Sequence, residues 1–304
     1  LYKSDDYYLK SHKYHNNYFK LNLDSVDKNT VFITNTIKWF NRYLDELNIK
    51  NQCFQIEIIS EIDSNDQKFG FGSSGAVTIS LLRALFGFYN LKYNEMILYK
   101  AGVMIQSLIS KYSSYGDLAC IAFEEIIFYK KFDNIITNQF NNKSITEILE
   151  MEWKGLVIES IKHDYEFLIV YTNKNSDSFK LVEKVMIYKD NNDFLKFLNR
   201  SEELVFDLKN NPNKIEIISQ ININQQLLNK ITSGLLITEE MIEIEKIIDE
   251  FNGVMKFSGA GGGDSVICFF NDKHDLNCSR KKLNEYGYLS FKYPIAEESY
   301  ESER

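Results

Sequence analysis

The sequence predicts a globular protein in which helices and strands alternate along the chain. Apolar residues recur at helical spacing in Thr30–Asn48 and in Val77–Tyr89, whereas Phe54–Ile62 alternates apolar and polar residues as a strand does. Two glycine-rich stretches interrupt such segments, and the first of them directly precedes Val77. Alternating elements of this kind favour a fold with mixed layers of α and β structure.

The other elements follow in order from the same patterns. The predicted strands are Leu1–Tyr8, Tyr18–Leu23, Phe54–Ile62, Leu156–Ile161, Tyr165–Thr172, Val254–Phe257, Ser265–Phe270 and Ser290–Tyr293. The predicted helices are Thr30–Asn48, Val77–Tyr89, Asn94–Ser110, Phe179–Tyr188, Asp193–Asn210, two within Lys214–Asn252, and Lys281–Leu289. A change in composition predicts a surface loop at Asn134–Ser144, and the buried strand Tyr165–Thr172 is expected to open a second domain.

Composition limits the class of protein. The 304 residues suit one large domain or two moderate ones, and 44% of them are hydrophobic. The net charge of −8, with scattered lysines, argues against nucleic acid as a partner. No apolar run approaches the roughly 20 residues that span a bilayer, so we expect no membrane association. The four cysteines form no C-x-x-C pair, which indicates a reduced, cytoplasmic protein with Cys120 and Cys268 in its core.

The first glycine-rich stretch, Lys68–Val77 (KFGFGSSGAV), is a candidate phosphate site. A glycine-rich turn that opens a helix exposes backbone N–H groups at the positive end of the helix dipole, where anions bind. The residues that would approach or contact the anion are Gly70, Gly72, Ser73, Ser74 and Gly75. The alternative is an ordinary turn with a helix N-cap. The stretch matches neither a Walker A loop nor a dinucleotide fingerprint.

Two further stretches could carry chemistry. Ser113–Ala119 (SSYGDLA) places Asp117 after a glycine, at the entry to a buried segment. Its carboxylate could act as a general base toward a hydroxyl or bind a metal, and the alternative is a helix N-cap. Ser258–Asp264 (SGAGGGD) has four glycines in five positions. Because such a run costs backbone entropy that packing does not justify, we expect its backbone to approach a ligand or another loop closely.

Together and in this order, the three stretches resemble the motifs of the GHMP kinase superfamily. GFGSSGAV resembles the second motif of the family, its phosphate-binding loop, and SGAGGGD resembles the third motif. The middle stretch, S-x-GDLACIA followed by an acidic pair and an aromatic strand (Ser114–Tyr129), is similar to the bacterial phosphomevalonate kinases. Mevalonate kinases typically show a G-x-D-N version at this place.

The resemblance implies an α+β fold of two domains. Residues 1–163 would form an ATP-binding half like ribosomal protein S5 domain 2, without its first strand, and residues 164–304 a ferredoxin-like half. The implied reaction is ATP-dependent phosphorylation of (R)-5-phosphomevalonate to 5-diphosphomevalonate, with ATP and Mg²⁺, in a monomer or homodimer. The alternatives are another GHMP kinase, such as mevalonate kinase, and a catalytically silent ligand sensor with the same fold.

The resemblance also implies roles for individual residues. The ATP phosphates would lie over Gly70, Gly72, Ser73, Ser74, Gly75 and Ala76. Ser74 would be the Mg²⁺ ligand, with Ser73 as the alternative, and Asp117 falls on the family's active-site aspartate. Substrate binding would involve Ser114, Gly116, Asp117 and Ser178, with Lys68, Lys111 and Lys174 as further candidates. The third motif would close the site beside the phosphate loop through Gly259, Ala260, Gly261, Gly262 and Gly263.

Two departures from the family pattern concern the ligands of the phosphates and the metal. The first motif, a lysine-containing strand that ends in Gly-Glu, is expected before Leu1, and nothing in this sequence resembles it. Mevalonate kinases also place a Mg²⁺-binding glutamate ahead of the aspartate, but Gln106–Lys111 contains no acid. We therefore expect few metal ligands from the protein, with water and ATP supplying the others.

Overall fold

The computed structural model describes residues 7–11, 15–24, 27, 30–59, 72–110 and 113–293. By its backbone contacts the chain divides into two units, of which the first ends at Ile161 and the second continues from Lys162. None of the described helices combines the length and the apolar character that crossing a membrane requires. The predicted strand residues before Tyr7 lie outside the described residues.

The first unit contains a three-stranded sheet in the order β2-β1-β3. Its strands are β1 (Tyr7–Ser11), β2 (His15–Lys20) and β3 (Phe54–Ile58). β1 pairs antiparallel with β2 and parallel with β3. The prediction of strands in these regions is confirmed, but their boundaries differ. The second ends at Lys20 instead of Leu23, and the third at Ile58 instead of Ile62.

Helices and a small second sheet complete this unit. The helices are α1 (Val31–Glu46), α2 (Ser73–Phe88), α3 (Glu95–Ser107), α4 (Gly116–Phe123), α5 (Ile135–Gln139) and α6 (Ile145–Glu150). Strands β4 (Ile127–Lys130) and β5 (Val157–Ser160) pair antiparallel. The predictions of α1, α2 and α3 are confirmed to within a few residues. The prediction of a surface loop at Asn134–Ser144 is wrong, because Ile136 is buried and gives the short α5 an apolar contact.

The core of the first unit lies between its helices. Ile37, Phe40 and Leu44 recur at helical spacing on α1 and are fully buried. The ring of Phe40 meets that of Phe86 on α2 edge-on, with 5.2 Å between the centroids. This edge-to-face arrangement is one that aromatic pairs prefer. The apolar faces that the sequence pattern predicts for α1 and α2 therefore contact each other.

The second unit is a four-stranded antiparallel sheet in the order β7-β8-β6-β9, with helices. Its strands are β6 (Phe167–Tyr171), β7 (Val254–Phe257), β8 (Ser265–Phe269) and β9 (Ser290–Tyr293). Its helices are α7 (Ser178–Val185), α8 (Asn192–Asn210), α9 (Ile215–Ile231), α10 (Glu239–Asp249) and α11 (Lys273–Glu285). A 3-10 turn, Met186–Tyr188, follows α7. Leu168 and Val170 of the central strand β6 share one core with Ile244 of α10.

Two predictions for this part of the sequence are corrected by the structure. Helix α11 begins at Lys273, eight residues before the predicted Lys281. The segment between them is mostly polar, so apolar spacing does not reveal the helix, which Asp272 caps by accepting a hydrogen bond from the His274 amide.

Only one of the two cysteines that were predicted to lie in the core does so. Cys268 is buried, as predicted, but Cys120 is exposed, so its assignment to the core is wrong. The buried residues of α4 are Leu118, Ala119 and Ala122, and this spacing leaves Cys120 on the other face of the helix.

Lys100 on α3 is buried, and its side chain provides a hydrogen-bond donor for the carbonyls at the end of α6. Its ammonium group donates to the carbonyl oxygens of Leu149 at 2.8 Å and Met151 at 2.7 Å. The last carbonyls of a helix have no partner within the helix, so these contacts complete the end of α6. Burial lowers the pKa of the Lys100 ammonium group.

We predict that Lys100→Met lowers the free energy of unfolding by about 1–3 kcal/mol, because it leaves buried carbonyls without a donor. Urea unfolding of the purified protein measures this change. Lys92→Met is the control, since Lys92 is exposed, and it should change the stability by less than about 0.5 kcal/mol. Equal effects of the two substitutions would contradict the role of Lys100.

Candidate active site

Helix α2 starts with backbone amides that are available to an anion. Its N-cap residue is Gly72, whose φ of 74° is left-handed, a conformation that glycine adopts without steric cost. Ser73, Ser74 and Gly75 form the first turn, and the described residues place no acid in it. The Ala76 amide already donates to the Gly72 carbonyl at 3.0 Å. The amides ahead of Ala76, together with the helix dipole, could therefore hold an anion.

Gly75 brings the start of α2 against the start of α4. A Cβ atom at position 75 would lie 2.9 Å from Ile121 Cδ1 and 3.2 Å from Asp117 Oδ2. On α3, a Cβ atom at Gly102 would lie 3.0 Å from Ile79 Cδ1. Real Cβ atoms rarely tolerate such distances. Glycine at these positions therefore allows α2, α3 and α4 to pack closely, and this packing sets the Asp117 carboxylate beside the first turn of α2.

Asp117 is the second residue of α4. The N-cap residue is Tyr115, so the alternative role of Asp117 as an N-cap is wrong. Although the residue is exposed, desolvation by the surrounding protein raises the pKa of its carboxyl group above the ordinary value. Hydrogen bonds from the amides of Leu118 and of Asp117 itself oppose this rise in part. A carboxylate held in this way can accept a hydrogen bond from a substrate hydroxyl or contact a cation.

Arg83 ties α2 to the other end of α4. Its Nη2 atom donates to the Ala122 carbonyl at 3.0 Å, and its guanidinium forms an ion pair with Glu124, the C-cap residue of α4. A cation at this end satisfies the last carbonyls and complements the helix dipole. No local pattern predicts the role of Arg83, because its partners lie about 40 residues further along the chain.

The turn before α4 is held by two residues that the sequence did not single out. Tyr129 donates to the Ser114 carbonyl at 2.6 Å, and Lys131 donates to the Ser113 carbonyl at 2.9 Å. Ser114, which was predicted to bind substrate, therefore lies in a turn held by residues at the end of β4, and Gly116, also predicted to bind substrate, is the first residue of α4 after this turn.

The third glycine-rich stretch, Ser258–Asp264, connects β7 and β8 in the second unit. A Cβ atom at position 261 would lie 2.9 Å from the Leu236 carbonyl oxygen. One at position 263 would lie 2.6 Å from the Lys174 carbonyl oxygen. The expected close approach of the backbone to another loop is therefore confirmed at both positions. Gly259, by contrast, has open space where a Cβ atom would lie.

The loop that contacts this stretch leads into α7. The Asp264 amide donates to the Lys174 carbonyl at 2.6 Å, and the Ser176 amide donates to Asp264 Oδ1 at 3.0 Å. Ser178, a predicted substrate ligand, is the first residue of α7 and is exposed. The exposed Lys174 ammonium group lies 3.7 Å from Glu240 Oε2. Within the second unit, the structure thus groups Lys174 and Ser178 with the third stretch.

The donor set for a metal ion is small. The described ranges contain no group of three or more His, Cys, Asp or Glu side chains that could hold a metal. Mg²⁺ is commonly bound through one or two carboxylates together with phosphates and water. The Ser74 hydroxyl, in the first turn of α2, and the Asp117 carboxylate beside that turn fit this pattern. Lys68, Gly70 and Lys111 lie outside the described residues, so their roles stay predictions.

A family model of known proteins matches part of the chain. Residues 32–125 match the family model described as the GHMP kinases N terminal domain. This range extends from α1 to just beyond α4 and includes Gly72 and Asp117. The mevalonate kinase of Methanocaldococcus jannaschii is 28% identical to this chain over 282 residues, which are 87% of this chain and 82% of that protein.

Solved structures share the fold over nearly the whole chain. The Streptococcus pneumoniae phosphomevalonate kinase in complex with phosphomevalonate and AMPPNP has a TM-score of 0.83 and 24% identity, covering 95% of this chain and 87% of that chain. The Methanococcus jannaschii mevalonate kinase has a TM-score of 0.67 and 24% identity, covering 95% of this chain and 84% of that chain. The prediction of a two-domain α+β fold of this type is confirmed.

We predict that Gly75→Ala lowers stability by about 1–3 kcal/mol, since the added methyl group must displace Ile121 or the Asp117 carboxylate. Binding of an ATP analogue should weaken as well, because α2 and α4 separate. Gly87→Ala on the same helix is the matched control. Nothing lies within 4 Å of a Cβ atom at Gly87, so alanine there should stabilise the helix by up to about 1 kcal/mol. Calorimetry and urea unfolding of both variants measure these changes.

Proposed function

We propose that this chain is a phosphomevalonate kinase of the GHMP kinase superfamily, on the premise of its match to the GHMP kinases N terminal domain over residues 32–125. It transfers the γ-phosphoryl group of ATP to the phosphate of (R)-5-phosphomevalonate, and the products are 5-diphosphomevalonate and ADP. The proposal rests above all on one contact, which places the Asp117 carboxylate beside Gly75 and the available amides at the start of α2.

The start of α2 supports the binding of the donor. Amides and a helix dipole that point at one spot favour a phosphate group. Gly72 and Gly75 let the backbone approach closely, and Ser73 and Ser74 add hydroxyl groups. In the transfer, an oxygen of the acceptor phosphate attacks the γ-phosphorus as the bond to the bridging oxygen of ADP breaks. Positioning and neutralisation of charge account for most of the catalysis in such a step.

Asp117 would orient the acceptor. The attacking oxygen already belongs to an ionised phosphate, so it needs little deprotonation by a base. A partly desolvated carboxylate at this position is suited to accept a hydrogen bond from the 3-hydroxyl group of the substrate.

Mg²⁺ would be held by the ATP phosphates, water and a small number of protein oxygens, with Ser74 as the proposed ligand. When bound, Mg²⁺ would supply positive charge that neutralises the negative charge of the phosphates.

The choice of acceptor rests on Ser114–Tyr129, whose S-x-GDLACIA sequence resembles the bacterial phosphomevalonate kinases. The greater structural similarity to a phosphomevalonate kinase than to a mevalonate kinase supports the same choice. Mevalonate kinase is the second candidate, because a mevalonate kinase is 28% identical to this chain. A catalytically silent ligand sensor is the third, and it would bind nucleotide without turnover.

We predict that the purified protein, with ATP and Mg²⁺, forms ADP when phosphomevalonate is offered and forms little when mevalonate is offered. A coupled assay of ADP release measures both acceptors under the same conditions. Turnover of mevalonate alone would identify a mevalonate kinase. Nucleotide binding by calorimetry without turnover of either acceptor would favour the sensor.

We predict that Asp117→Asn lowers kcat by about 10²-fold or more, because a positioned catalytic group contributes at least that much. Binding of the ATP analogue should change little, since the amides of α2 are untouched. Asp45→Asn is the matched control, because Asp45 is an exposed residue on α1. Activity of the Asp117 variant within about threefold of the parent would remove Asp117 from the mechanism.

A further inference from the structure

We propose that Tyr129 and Lys131 are positioning residues that set the orientation of Asp117 by holding the two backbone carbonyls just before α4. The catalytic meaning of this inference rests on the proposed function, whereas the contacts themselves do not depend on it. Neither residue has a role predicted from the sequence, although Tyr129 ends the stretch Ser114–Tyr129.

The two contacts act on consecutive peptide groups. The Tyr129 hydroxyl donates to the Ser114 carbonyl at 2.6 Å, and the Lys131 ammonium group donates to the Ser113 carbonyl at 2.9 Å. Residues two positions apart on an extended chain point to the same side, so one face of the chain at the end of β4 supplies both donors. With both carbonyls fixed, the peptide planes ahead of Tyr115 cannot rotate freely.

This restraint holds a backbone conformation that is unfavourable by itself. Tyr115, the N-cap residue of α4, has a φ of 60°, which L residues other than glycine adopt only at a steric cost. Its ring is buried and stacks on Phe132, with 5.9 Å between the centroids, and Lys131 Nζ lies 4.9 Å from the ring centroid. Such conformations persist where the surroundings determine them. Here the left-handed conformation of Tyr115 turns the chain into α4, whose second residue is Asp117.

Tyr99 on α3 completes the arrangement behind Tyr129. The two hydroxyl oxygens lie 3.0 Å apart. Because the Tyr129 proton is directed at Ser114 and a phenol has a single proton, Tyr99 is the donor to Tyr129. Burial raises the pKa of Tyr129 to about 12 and raises that of Tyr99 as well, so both hydroxyls remain protonated donors at neutral pH. A chain of this kind strengthens each of its hydrogen bonds.

The ring of Tyr129 also contacts the turn. A Cβ atom at Gly116 would lie 3.3 Å from Tyr129 Cδ1, so the first residue of α4 sits directly against this ring. Tyr129→Phe keeps the ring contact but removes both the hydrogen bond to Ser114 and the one that Tyr99 donates. Tyr99→Phe removes only the second of these bonds, so the difference between the two variants isolates the bond to Ser114. In Tyr129→Phe we expect the turn to relax and the Asp117 carboxylate to leave its place beside Gly75.

We predict that Tyr129→Phe and Lys131→Met each lower kcat by about tenfold or more, since small displacements of a positioned group are costly. The KM for ATP should stay within about twofold, because α2 is unchanged. Tyr89→Phe is the matched control. Its hydroxyl accepts a hydrogen bond from the Gln52 amide at 2.9 Å, and Tyr89 lies at the opposite end of α2.

A double-mutant cycle tests whether Tyr129 acts through Asp117. In an Asp117→Asn background, Tyr129→Phe should cause no further loss of kcat. An equal loss in both backgrounds would overturn the proposal, because Tyr129 would then act independently of the carboxylate.

A second readout does not require turnover. Amide hydrogen exchange at Gly116 and Asp117, followed by NMR, should be faster in Tyr129→Phe and in Lys131→Met than in the parent, because the released turn opens more often, and it should stay parental in Tyr89→Phe. Parental exchange in both variants overturns the positioning role. A parent without turnover on either acceptor overturns the proposed function alone, and the exchange rates then still decide the positioning role.

Discussion

The candidate site depends on glycine at position 75, which has no Cβ atom. Without a Cβ atom there, the first turns of α2 and α4 come close enough for the Asp117 carboxylate to lie beside the amides that would hold phosphate. This arrangement places the positive ends of two helix dipoles near each other, which is unfavourable until negative charge is present. Asp117 supplies one such charge, and a bound phosphate would supply more, so the packing itself favours an anionic ligand.

The two glycine-rich stretches of this chain require glycine for different physical reasons. Near Gly75 the close neighbours are the side chains of another helix, and the backbone amides of the turn remain available. At Gly261 and Gly263 the close neighbours are backbone carbonyls of adjoining loops, which use the available space. The absence of a side chain thus serves a candidate ligand site in the first case and loop packing in the second. Closure of the site by Gly259 and Ala260 stays a prediction.

The parts of the structure that the sequence predicts are those with a local signal. The spacing of Ile37, Phe40 and Leu44 predicts α1, and the order of the glycine-rich stretches predicts the fold. The start of α11 and the whole of α5 escape this reasoning, because their buried residues are few and separated by polar ones. Arg83, Tyr129 and Lys131 escape it for another reason. Their partners are distant in sequence, so only the folded chain brings them together.

The restraint at Tyr115 has a consequence for how the site would work. Its left-handed conformation is accompanied by hydrogen bonds from Tyr129 and Lys131 to the two preceding carbonyls and by the stacking of Phe132, all within the first unit. The steric cost is therefore met during folding and not when substrate binds. Because phosphoryl transfer depends on the alignment of donor and acceptor, a carboxylate already in place spares binding energy for that alignment. The proposed site would therefore be ordered before its substrates arrive.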